Sequence, residues 1–139
     1  MIVRALRGAF CVLAVASAAC APEPRVDEDP RLRRYLEQTV AAWVQGGRCA
    51  SEGLGRAGST VYVWALCRSP ANGQGMSLPV AIALDPSGRP VAHRMPRDGN
   101  RHATDLDAFF PAPVRAAMRN GQAERLRRLE RRLRADEQD

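Results

Sequence analysis

Residues Thr60–Arg68 read TVYVWALCR, and this nine-residue run decides the fold. Val61, Tyr62, Val63, Trp64 and Leu66 are β-branched, aromatic or aliphatic, and they fall at odd and even positions alike. A strand places successive side chains on opposite faces, so this one is apolar on both. Downstream, residues 77–85 alternate Leu78, Val80, Ile82 and Leu84 with smaller side chains, which predicts a second strand. Pro79 cannot donate to a ladder and suits a strand end or a sheet edge. Asp85, Pro86, Ser87 and Gly88 form a turn, and residues 89–95 return antiparallel. The longer loop 69–75, containing Asn72 and Gly73, joins the first two strands, so a three-stranded meander is expected.

Upstream, Asp29 is placed to cap a helix with Pro30 at its first position, and Gly46 and Gly47 to end it. Leu32, Tyr35, Leu36, Val40, Trp43 and Val44 recur on one side of that helix. The intervening Gly53, Gly55 and Gly58 are read as a flexible loop. Their spacing matches a dinucleotide fingerprint, but a helix precedes them and a strand follows, so no helix N-terminus would meet a pyrophosphate. Beyond the meander, Pro111 and Pro113 open a helix carrying Val114 and Met118, broken at Asn120 and Gly121. The last segment sets Leu126, Leu129 and Leu133 on a narrow stripe among Arg125, Arg127, Arg128, Arg131, Arg132 and Arg134. Glu124 with Arg128, and Glu130 with Arg134, are favourable pairs four apart. The expected fold is α+β: an N-terminal helix packed on a three-stranded antiparallel sheet, followed by one broken or two C-terminal helices.

The first twenty residues specify a destination. Arg4 and Arg7 precede the apolar residues 8–16, and small residues Ser17, Ala18 and Ala19 lead to Cys20, the order of an export signal. The apolar stretch is shorter than the roughly 20 residues of a membrane span. The segment resembles the signal of a bacterial lipoprotein precursor, whose box of small residues ends in the cysteine acylated after cleavage. That resemblance covers the signal alone and implies lipidation of Cys20 and attachment to a membrane. Cleavage after Ala18 or Ala16, giving a freely secreted chain, is the competing reading. Residues 1–19 are then the signal, 20–30 a lipidated cysteine and flexible tether, 31–135 one α+β domain and 136–139 an acidic tail.

Of the four cysteines, Cys11 lies inside the signal. With Cys20 committed to lipid, Cys49 and Cys67 remain to pair in an oxidising compartment.

The cationic residues number 21, all arginine, against 15 acids, for a net charge of +6. The absence of lysine excludes Schiff-base and pyridoxal chemistry, and Ala83 stands where a kinase-like strand would need its lysine. Asp98, Asn100, His102, Asp105 and Asp107 offer oxygen and nitrogen donors at close spacing and are the best metal candidate. Ala103 replaces the glycine and Phe109 the closing carboxylate of a calcium loop, so no metal is assigned, and no cofactor or catalytic residue either. The basic terminal helix lacks interleaved aromatics, and export argues against nucleic acid as its partner. The sequence therefore points to a small exported lipoprotein acting as a non-catalytic binding module. A secreted enzyme built around Asp98 to Asp107, or an envelope-associated inhibitor or stress protein, is the alternative. A binding module should expose an apolar patch rimmed by arginines; an enzyme should hold a perturbed His102 or Asp105 in a cleft.

Overall fold

A computed structural model describes residues 25–26 and 29–139, and the signal and Cys20 lie outside them. The fold is α+β, with a four-stranded antiparallel sheet in the order β1-β2-β3-β4 and helices on both faces. The strands are β1 Arg48–Ala57, β2 Thr60–Arg68, β3 Gly75–Leu84 and β4 Pro90–Arg94. Helix α1, Pro30–Tyr35, precedes them, and α2 His102–Phe109, α3 Ala112–Arg119 and α4 Gln122–Asp136 follow. Among the described residues, no helix is long and apolar enough to cross a membrane.

β2 explains its own composition. Val61, Val63, Ala65 and Cys67 pack with Leu32, Leu36, Val40 and Val44 on one face. Tyr62 packs with Phe110, Val114 and Met118 on the other, and Leu66 with Leu129 and Leu133. A strand covered on both sides has no solvent face on which to place polar residues.

Two expectations are corrected. The glycine-containing segment read as a loop is strand β1, paired along its length with β2, so the sheet has four strands rather than three. Its register shifts between Gly53 and Gly55. Gly55 has φ +150°, and a Cβ there would lie 3.2 Å from Val114 Cγ2, so glycine lets α3 lie directly on the strand. The C-terminal region likewise holds three helices, because α2 forms in the polar stretch after Asp98.

The first helix also departs from a regular coil. Asp29 caps it as expected, accepting the Arg31 amide at 2.9 Å, and Pro30 opens it. After Tyr35 the coil widens into a π turn, Leu36–Val40, with the Ala41 amide donating to the Leu36 carbonyl at 2.8 Å. Thr39 Oγ1 donates to the Tyr35 carbonyl at 2.6 Å, taking the acceptor that its own amide would use in an α-helix. The wider turn brings Leu36, Val40, Ala41 and Val44 onto the sheet but releases Trp43, expected on the apolar side, to 58% exposure. Tyr35 is half-buried, its hydroxyl 2.9 Å from His93 Nδ1.

Cys49 and Cys67 face each other across β1 and β2, with Cα atoms 4.1 Å apart, and are joined by a disulfide that is fully buried. A bridge of this kind fits an oxidising, non-cytoplasmic compartment. At the outer edge of β1, side chains from both helical layers satisfy the backbone. The Cys49 amide donates to Glu37 Oε1 at 3.0 Å, Arg33 Nε donates to the Cys49 carbonyl at 3.3 Å, and Arg132 donates to the Ser51 carbonyl at 2.7 Å. Arg33 is also ion-paired with Asp136, tying α1 to the end of α4.

Candidate functional site

A concavity of ligand size follows from the alternation in β3. Met76, Val80 and Ile82 fill the core under α1, while the opposite face carries only Ser77, Pro79, Ala81 and Ala83. Ala81 is covered by α2 and α3, and α4 covers Leu66 of β2. Between these two covers, the small residues leave a groove of about 580 Å³. Trp64 lies on its floor beside Pro79, its cross-strand partner, and donates from Nε1 to Ser77 Oγ at 2.9 Å. Leu106, Met118 and Leu126 supply apolar walls, and His102, Asp107, Arg115 and Arg119 supply polar ones. Pro79 and Met118 are buried, whereas His102, Asp107 and Arg119 are exposed, so the apolar groups lie deeper than the charged ones. The volume is in the range of small-ligand sites.

Arg125 holds the two upper walls in register. It is 5% exposed, and its guanidinium donates to the carbonyls of Ala117 at 2.6 Å, Met118 at 3.1 Å and Asn120 at 3.1 Å. These are the unsatisfied carbonyls at the end of α3, so an α4 side chain serves as that helix's cap. Gly121, at φ +62°, makes the reversal possible. The same guanidinium lies 5.8 Å from the Trp64 ring centre, and its Nε is 3.6 Å from Glu52 Oε1. Glu52 also accepts a two-pronged bond from Arg128, at 2.7 and 2.9 Å. These cations hold its carboxyl below the ordinary carboxylate range, Arg128 most strongly.

No family model matches the chain, and no curated protein or solved structure matches it.

The five sequence-selected polar residues do not converge on one centre. Asp98 and Asn100 are exposed around a 3₁₀ turn, Gly99–Arg101. Asp105 is buried and accepts three bonds from Arg97: the backbone amide at 2.9 Å, Nε at 2.8 Å and Nη2 at 2.8 Å. Arg97 thereby holds the Asp105 carboxyl far below its ordinary value, and the pair closes the loop between β4 and α2. His102 Nδ1 donates to the Arg97 carbonyl at 3.2 Å, adding to that closure. Asp107 faces Arg115 at 2.8 Å instead. Asp105 and Asp107 both lie within α2. Among the described residues, no three His, Cys, Asp or Glu side chains are grouped to hold a metal.

Sequence reasoning missed Trp64 and Leu126 as groove residues and Arg125 as a buried cap. Leu126 belonged to the apolar stripe, but it is only half-buried while Leu129 and Leu133 are sealed against the sheet. The available signal for the groove was the run of small residues at alternate positions of β3.

Proposed function

We propose that this protein is a small exported cell-envelope lipoprotein, anchored through Cys20, whose domain binds a ligand or partner without transforming it. The observation that carries the binding reading is the groove: an apolar floor and walls at Trp64, Pro79, Leu106, Met118 and Leu126 beneath charged groups at Arg115 and Arg119. An apolar patch with arginines at its rim is what a binding module is expected to expose, and it supports that reading. Of the acids of the enzyme alternative, Asp105 is clamped to Arg97 away from the groove and Asp107, at its wall, is paired with Arg115. Export is supported by the buried Cys49–Cys67 bridge. The resemblance of residues 1–20 to a lipoprotein signal supports the anchor.

Two measurements test the reading. Labelled palmitate should enter the wild-type chain and be lost in Cys20→Ser; label retained in the variant refutes anchoring at Cys20. Ala103 is an exposed groove residue on α2. Ala103→Trp should block the groove without touching the core, so a component captured from envelope extract by the wild type should be absent from the variant. Equal recovery on both, or on neither, refutes the groove as the binding site.

A further inference from the structure

We propose that the groove takes an amphiphile with a hydrocarbon body and a single anionic head, of the class of a medium- or long-chain carboxylate, with Arg119 receiving the head. The inference rests on the binding reading above and names the ligand chemistry for that site.

Charge selects the head. Arg115 is neutralised by Asp107 at 2.8 Å. Beside Trp64, on the same face of the sheet but outside the groove lining, Glu52 is shared between Arg125 and Arg128, leaving one of those cations in excess. Arg119 is exposed at the groove and makes no hydrogen bond or ion pair among the described residues. An anion therefore meets an uncompensated guanidinium, whereas a cation meets only Asp107, whose charge is already paired. Of the two arginines that line the groove, Arg119 alone has no acid partner among the described residues, and a single guanidinium calls for one negative group rather than a polyanion.

Hydrogen-bonding capacity selects the body. Along the deeper surface the groove offers the ring of Trp64, the ring of Pro79 and the side chains of Leu106, Met118 and Leu126. Trp64 Nε1 is committed to Ser77, and Pro79 has no amide to donate. A peptide backbone laid there would find only Ser77 and Gln122 near the apolar groups as further side-chain partners, and would bury most of its N–H and C=O groups unpaired, each at a cost comparable to a lost hydrogen bond. A hydrocarbon chain carries none, and the groove volume of about 580 Å³ leaves room for one.

The test is calorimetric titration of the mature chain carrying Cys20→Ser, so that no attached acyl group competes. The probes are decanoate, decanol and decyltrimethylammonium, each below its micellar concentration. Decanoate should bind saturably at one site, at least about tenfold more tightly than decanol, and the ammonium more weakly still. Arg119→Gln should reduce decanoate to the level of decanol and leave decanol unchanged, while Ala103→Trp should abolish both. Circular dichroism would establish that both variants are folded. Equal binding of decanoate and decanol, or decanoate binding indifferent to Arg119→Gln, overturns the anionic head. If capture from envelope extract is blocked by Ala103→Trp but no decyl probe binds, the ligand class is overturned while the binding module stands. If both fail, the binding reading itself is refuted.

Discussion

Arg125 is the residue on which the groove's geometry depends most, and its removal has a calculable cost. In Arg125→Ala three carbonyls at the end of α3 lose donors at 2.6, 3.1 and 3.1 Å. Hydrogen bonds from a charged donor contribute about 1.5–3 kcal/mol each, so the uncorrected sum is roughly 4.5–9 kcal/mol. Two effects lower it. Asn120 is exposed, so water can replace the donor there. Removing the cation also relieves the desolvation of a guanidinium that is 6% exposed. The expected net loss is about 3–4 kcal/mol, a large share of the roughly 5–15 kcal/mol of a typical domain. For a domain of this size that lowers Tm by roughly 10–16 °C. Urea denaturation followed by circular dichroism would measure it, with Arg127→Ala as the control. Arg127 is 62% exposed and among the described residues is ion-paired with Glu124 alone, so its loss should fall within about 0.5 kcal/mol. A cost below about 1 kcal/mol for Arg125→Ala, indistinguishable from the control, would refute the account of Arg125 as the cap of α3.

Three further outcomes are expected. Replacing both Cys49 and Cys67 by alanine should cost at least about 3 kcal/mol, the entropy of closing their 18-residue separation, and the wild-type cysteines should resist alkylation under denaturing conditions until reduced. Leu129→Asp should cost about 4 kcal/mol or more, because it puts a carboxylate at a fully buried position against Ala50 and Leu66; mild destabilisation on thermal melting would contradict that packing. Burial lowers the His93 pKa from its ordinary 6.5, so the folded state resists protonation. Its contribution to stability is therefore complete above about pH 6.5 and is lost as pH falls below that value, and His93→Gln should flatten the change in urea midpoint between pH 7.5 and 5.5.

Local chemistry with a strong intrinsic preference was legible in the sequence. The β2 run, the Asp29–Pro30 helix start, the Asp85–Gly88 turn and the Asn120–Gly121 break all lie where the residues place them. β1 was hidden because its stability is borrowed. Glycines at 53 and 55 lower its own strand preference, and pairing with β2 and contact with α3 supply what its side chains do not. The first helix was overextended because the helical spacing of Trp43 and Val44 continues past the turn where Thr39 diverts the backbone. The disulfide needed only two spare cysteines. The groove needed three helices placed over β3, which no local pattern encodes, and the burial of Arg125 depends on a partner helix ending within its reach.

The outer edge of β1 has a consequence for how the protein keeps company with itself. A sheet recruits a foreign strand when its last amides and carbonyls are free to template one. Here Glu37 and Arg33 from one layer and Arg132 from the other hold the backbone of Cys49 and Ser51, and the register shift between Gly53 and Gly55 interrupts the regular ladder beyond them. A second copy approaching that border would have to displace three charged side chains before its first ladder bond formed. Between copies at high concentration, such a guarded border keeps neighbours from fusing into a continuous sheet, and it does so with side chains alone, without lengthening the chain or adding an element.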